Sequence, residues 1–227
     1  MRLLLFDIDG TLIHAGGAGL RAIERAFSVC YDIEDAVQGI KADGKTDPLI
    51  LSEIFRSTLN RDYLDQEAAR IYRRYLQYLE EEIKGGNPIT VLNGVLQILE
   101  AISLRDDLKL GIATGNIEEG AWIKLRYSGL QSYFKCGAFG SDSEDRGDII
   151  RIAIERARKI LNNGSGFHEV FVIGDTPFDM IHGKAAGAKV LGVATGSYSL
   201  KDLETYDPDY LFEDFGDVET VLKVFVG

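Results

Sequence analysis

Cysteine, histidine and positive charge are all scarce in this chain. Its 227 residues include two cysteines and three histidines, and 25 lysines and arginines stand against 36 aspartates and glutamates, for a formal net charge of −11. Cys30 and Cys136 are far apart, without a CxxC or a neighbouring histidine cluster, which excludes a disulfide framework and a zinc site of the usual spacing. Both are expected as reduced core residues. His168 and His182 stand alone and read as surface or hydrogen-bonded polar residues, not ligands. The acidic balance excludes a general affinity for nucleic acid or an anionic membrane, so an anionic substrate must be attracted locally. No window approaches the roughly 18 apolar residues of a membrane span. The opening apolar run, ended by Asp7, is too short for a signal peptide, and the expected location is the cytoplasm. Internal repeats and low-complexity segments are also missing.

What is present is a hydrophobic share of 45%, ample for one large domain or a domain carrying a smaller insert. Beyond residue 88, short apolar runs alternate with helical patterns. LKLGIAT (108–114), EVFVIGD (169–175) and KVLGVAT (189–195) are nearly continuous in apolar residues, as strands buried on both faces should be. Between them, Val95, Ile98, Leu99 and Ile102, and later Ile150, Ala153, Ile154, Ala157 and Leu161, keep helical spacing. The alternation predicts an α/β fold, a doubly wound parallel sheet with helices on both faces. Residues 18 to about 84 show no such strand, only helical stripes such as Leu20, Ile23, Phe27 and Cys30, and a longer helix that Asp65 is placed to cap. Glycines 16, 17 and 19 precede this segment and GGNP (85–88) closes it. The expected organisation is a core of residues 1–14 and 88–227 with a helical insert of residues 15–87.

The chain opens with LLLFDIDGTL. On a continuous strand Asp7 and Asp9 would project from one face with Ile8 turned into the core. At about 4 Å and an effective dielectric of about 20, their repulsion is on the order of 4 kcal/mol, so a cation is expected between them. Ligands gather at the carboxyl ends of strands in an open parallel sheet. Polar residues crowd those ends here: Asp7-Ile8-Asp9-Gly10-Thr11, Ala113-Thr114-Gly115-Asn116, Gly174-Asp175-Thr176-Pro177-Phe178-Asp179 and, less clearly, SDSEDRGD (141–148).

In that order DIDGTL, ATGN, a basic residue about thirty positions later and GDTPFD resemble the four motifs of the haloacid dehalogenase superfamily. The insert is similar to the helical cap of its phosphoglycolate phosphatase and β-phosphoglucomutase branch. The resemblance implies a Rossmann-like sheet with an inserted cap, and a phosphatase acting on a small phosphorylated metabolite. It implies that Asp7 attacks phosphorus to form an aspartyl phosphate, and that Asp9 serves as general acid and then general base. Mg²⁺ would be held by Asp7, the backbone carbonyl of Asp9 and Asp175, with Asp179 orienting the metal shell or the basic residue. Thr114 offers a hydroxyl, and the backbone N–H groups of Gly115 and Asn116 face phosphate oxygens at a helix start. Gly10 permits close backbone approach beside Thr11. In KADGKTDP (41–48), Lys45 is placed to meet a substrate anion.

Two departures stand out. The family generally carries a lysine in its third motif, often followed by proline, whereas EDRGD places Arg146 at the matching distance, a planar fork in place of a point charge. Lys124 is the competing basic residue, on the helix that follows Thr114. His14 stands where the branch commonly has an acid and receives no catalytic role. The alternatives to a phosphatase are a β-phosphoglucomutase-like phosphomutase with the same core residues, and a non-catalytic phosphate-binding module on the same fold. Dehalogenase chemistry is disfavoured by the acid at position 9. Phosphonate hydrolysis would require Lys41 or Lys45 to form a Schiff base.

Overall fold

The computed structural model describes the whole chain except residues 86–88 and 162–163. Its strands are β1 (Arg2–Phe6), β2 (Ile13–His14), β3 (Thr90–Val91), β4 (Leu108–Ala113), β5 (Gly137–Ala138), β6 (Glu169–Gly174), β7 (Lys189–Val193) and β8 (Tyr210–Phe212). Six of them form one sheet in the order β5-β4-β1-β6-β7-β8, with every pairing parallel. β1 lies in the middle, with Phe6 in register with both Ile112 and Ile173. That register brings Asp7 level with the ends of β4 and β6, where Thr114 and Asp175 follow.

Alternation along β1 divides the core into two layers. Leu4 and Phe6 turn to the face covered by α4 (Val95–Ser103), α5 (Glu118–Tyr127) and α9 (Val218–Val226), packing in one apolar cluster with Ile98, Leu125 and Phe225. Leu3 and Leu5 turn to the opposite face with Ile150, Ala153 and Met180 of α6 (Arg146–Leu161) and α7 (Pro177–Ala185). These four of the five β1 side chains are fully buried, which is why the strand reads as an apolar run after Arg2. A short α8 (Leu200–Glu204) precedes β8. Among the described residues no helix is long and apolar enough to cross a membrane.

Between β2 and β3 the chain forms α1 (Ala18–Tyr31), α2 (Asp47–Leu59) and α3 (Asp65–Lys84). These helices bury Phe27, Leu51, Phe55, Ile71 and Leu79 in a cluster of their own, joined by Ile117 and Ile123 from the core side. β2 and β3 pair antiparallel, so the outgoing and returning chains are tied at the base of the insert by a ribbon too short for sequence periodicity to show. The expected junction at residues 87 and 88 lies outside the described residues.

Two local expectations change. Leu64, not Asp65, is the N-cap of α3; its N–H donates to the Glu67 carboxylate at 3.0 Å, so the acid three residues on satisfies the helix start. Cys30 is only half-buried on α1, while Cys136 is buried.

Candidate active site

β1 stops at Phe6, and the chain turns at once. The Ile8 carbonyl accepts from the N–H groups of Thr11, Leu12 and Ile13 at 3.3, 2.9 and 3.1 Å, and Gly10 adopts φ of 78°. Strand alternation therefore does not extend through Asp9, and the two carboxylates meet different basic side chains. Asp7 Oδ2 lies 2.8 Å from Arg146 Nη2. Asp9 Oδ2 lies 2.6 Å from Lys124 Nζ. The two basic residues that competed for one place in the sequence both reach the site, each on a different carboxylate.

Around Asp7 the site is dry and acidic. Arg146 Nη2 also donates to Asp179 Oδ1 at 2.5 Å, and the three side chains are at most 8% exposed. The second oxygen of Asp179 accepts from the Thr176 N–H and hydroxyl at 3.1 and 2.7 Å, which fixes the first turn of α7. Thr11 donates its hydroxyl to Asp175 Oδ1 at 2.9 Å. A Cβ at Gly10 or Gly196 would run into the Asp175 carboxylate, so glycine is needed on both sides of it.

Asp7, Asp175 and Asp179 bring carboxylate oxygens within 4.8 Å of one another. Burial, then the charges of Asp179 and Asp7, push the Asp175 carboxyl well above its ordinary value. Burial also raises Asp7, against the pull of Arg146. Three buried acids with one guanidinium are short of positive charge, and an all-oxygen donor set at this spacing suits a hard divalent cation.

Asp9 is different. Its side chain is 41% exposed and faces a cavity of about 410 Å³ between core and insert, lined among others by Asp7, Lys45, Tyr75, Lys124 and Arg146. Asn116 Nδ2 donates to Asp9 Oδ2 and to Thr114 Oγ1, each at 2.8 Å. Of the expected substrate-binding groups, Gly10, Thr114, Gly115 and Asn116 line the same cavity. Thr11 turns its hydroxyl to Asp175, and Lys45, also on the cavity wall, donates to both Glu53 carboxylate oxygens at 2.7 and 2.6 Å.

The insert closes on the site through the start of α2. Asp47 N–H donates to the Gly115 carbonyl at 2.8 Å, and the Ile117 N–H donates back to Asp47 Oδ2 at 2.8 Å. A Cβ at Gly115 would strike the Lys45 carbonyl, so this contact requires glycine on the core side. Burial raises the Asp47 carboxyl to about 6, against Lys124 and the Ile117 N–H. Sequence reasoning missed this role for Asp47. Its only trace is Thr46-Asp47-Pro48, an ordinary helix start with Thr46 accepting from Leu49 N–H at 3.4 Å.

Residues 4–193 match the family model of haloacid dehalogenase-like hydrolases. The pyrophosphatase PpaX of Anoxybacillus flavithermus is 27% identical over 225 residues, covering 97% of this chain and 96% of that protein. Among solved structures, a hydrolase from Pseudomonas syringae aligns over 98% of both chains with a TM-score of 0.74 and 26% identity. CbbY from Rhodobacter sphaeroides, solved in complex with phosphate, aligns over 95% of both chains with a TM-score of 0.69; at 19% identity that likeness is one of fold.

Proposed function

The chain belongs to the haloacid dehalogenase-like hydrolases, and on that premise we propose that it hydrolyses a small phosphorylated metabolite, a phosphoglycolate-like or sugar phosphate, with Mg²⁺ as cofactor. It is a phosphoric ester hydrolase. The observation that carries the finer reading is the contrast between two carboxylates two residues apart. Asp7 is buried against Arg146 beside two further acids, while Asp9 stands half-exposed on the cavity wall, held by Lys124 and Asn116.

The proposed reaction has two displacements. A carboxylate oxygen of Asp7 bonds to phosphorus as the ester P–O bond breaks, and Asp9 delivers a proton to the leaving oxygen. Asp9 then takes a proton from the water that attacks the aspartyl phosphate, which releases inorganic phosphate and restores Asp7. Arg146 holds Asp7 in place through its bond to Asp179. The Gly115 N–H is the backbone donor for a phosphoryl oxygen, since the Asn116 N–H donates to Thr114 Oγ1 and the Ile117 N–H to Asp47. Asp7, Asp175 and the Asp9 carbonyl would hold Mg²⁺, with Asp179 orienting Arg146; bound there, the ion supplies positive charge against phosphate and carboxylates. Residues 15–87 serve as a cap that encloses a compact substrate. The cytoplasm is the proposed location.

The test is inorganic phosphate release from a panel of phosphorylated metabolites, with Mg²⁺ and with chelator. Metal-dependent release from at least one small monoester is expected. An isomerised sugar phosphate in place of free phosphate would make the protein a phosphomutase, and a flat response across the panel would leave a phosphate-binding module.

A further inference from the structure

Lys124 is the basic residue for which the proposed reaction has no stated use, and it is held in an unusual way. It lies on α5, one helix away from the nucleophile, and its side chain is 6% exposed. A buried ammonium is costly unless partners surround it. Lys124 Nζ donates to Asp9 Oδ2 and to Asn116 Oδ1, each at 2.6 Å. Asn116 Nδ2 donates to the same Asp9 oxygen at 2.8 Å, so lysine, amide and carboxylate close a triangle. Thr114 Oγ1 anchors the amide from behind at 2.8 Å.

The triangle treats the two oxygens of Asp9 unequally. Oδ2 receives both donors, and among the described residues no hydrogen bond reaches Oδ1. The side chain that carries Oδ1 is 41% exposed on the cavity. A carboxylate on a turn, free to rotate, would offer either oxygen in many directions. One pinned by two donors on one oxygen offers the other in a single direction, which is what proton transfer to a bound ester requires.

We propose that Lys124, acting with Asn116, is a positioning residue that pins Asp9 by Oδ2 and leaves Oδ1 as the atom that exchanges protons with substrate. Oδ1 passes its proton to the ester oxygen as the P–O bond breaks and the bond from Asp7 to phosphorus forms, then takes one from the attacking water. The inference rests on the assignment of Asp9 as general acid. It separates the two cations of the site: Arg146 serves the nucleophile, and Lys124 serves the acid.

A general acid matters in proportion to the basicity of the leaving oxygen. An alkyl phosphate needs the proton, whereas p-nitrophenyl phosphate expels a stable phenolate and needs it little. kcat/KM, which reports the first displacement, is measured on both esters for the wild type, Lys124→Met, Asp9→Asn and the double variant. Lys124→Met is expected to lose at least about a hundredfold on the best alkyl phosphate and no more than about tenfold on p-nitrophenyl phosphate. The double variant should be no slower than Asp9→Asn alone, because a residue acting only through Asp9 has nothing further to remove.

Equal loss on both esters, in a protein that still binds beryllium fluoride, would overturn the inference by assigning Lys124 to the phosphoryl group. Full activity on the alkyl ester would also overturn it. Should Lys124→Met fail to fold, Asn116→Ala removes the other arm of the triangle and must show the same preference for the aryl ester. If Asp9→Asn shows no leaving-group preference, the assignment of Asp9 is wrong. If it does and Lys124→Met does not, only the role of Lys124 is wrong.

Discussion

At the carboxyl end of the sheet the charges of the site are buried, and in the helical insert the ion pairs reach solvent. Asp7, Arg146, Asp175 and Asp179 are at most 6% exposed at the end of a parallel sheet. Of the insert's ion pairs, Arg25–Glu81 and Arg56–Asp62 leave each side chain at least 42% exposed, and Arg21–Glu82 and Arg61–Glu67 are still partly open to solvent. Exposed pairs contribute little to stability, so the insert rests on its apolar cluster of Phe27, Phe55, Leu79 and their neighbours. The buried acids of the core do not pack favourably on their own account; two fully apolar layers hold them in place. Rigidity is therefore invested around Asp7, the proposed nucleophile. The insert meets the site at residues 44–47 and along the cavity wall at Leu20, Ile23 and Tyr75, and it packs on α5 through Ile117 and Ile123.

The comparison can be broken first at Asp7, the proposed nucleophile. Asp7→Asn keeps the shape and removes the attacking oxygen, and turnover should fall by more than about a thousandfold while the circular dichroism spectrum and melting temperature stay near wild type. Wild-type phosphate release from a homogeneous, folded sample would end the covalent mechanism. Arg146→Ala comes next. It leaves Asp7 and Asp179 without their shared partner, and kcat/KM should drop at least about a hundredfold, on the order of 3 kcal/mol. Arg146→Lys should retain much more, because one nitrogen, Nη2, makes both contacts and an ammonium can replace it. An alanine variant within a few fold of wild type would mean that the buried guanidinium is structural.

The contact between the two regions is tested at Gly44. It adopts φ of 70°, and an added Cβ would collide with the Phe178 ring of α7. Gly44→Ala should lower kcat/KM about tenfold with little change in melting temperature, since only the seating of the insert is disturbed. An unchanged rate would show that this closed contact is not needed for catalysis.

The smallest expected effect is one of pH. Asp47 binds its proton more tightly in the folded chain, with a value near 6 against an ordinary 3.8. A raised carboxyl value contributes stability that is fully present below about pH 4 and is lost as pH rises through about 6. Asp47→Asn keeps an acceptor for the Ile117 N–H and removes the charge. Its melting temperature relative to wild type should therefore rise between about pH 4 and pH 7 and then level. A constant difference across that range would show that Asp47 titrates as it does in water.

The core was legible because its signals are local. Three of the four candidate motifs are runs of adjacent residues at the end of an apolar strand, and parallel register aligns the ends of β1, β4 and β6 without further instruction, while Arg146 comes in at the start of α6. The insert was legible as helices from their apolar stripes. Its ribbon of β2 and β3 was not, since two-residue strands have no period to detect. The pairing of Asp9 with Lys124 and the back-donation from Ile117 to Asp47 were hidden for another reason: they join residues 115 and 70 positions apart.

Composition and local pattern determined the α/β class, the helical insert and the acids that crowd one end of the sheet, because burial and strand or helix periodicity act through neighbours in the chain. Which cation answers which acid was decided only by the tertiary structure. Charge type is written in the sequence, but an ion pair depends on distances between elements, and a turn at Gly10 separated Asp7 from Asp9 and sent each to its own partner.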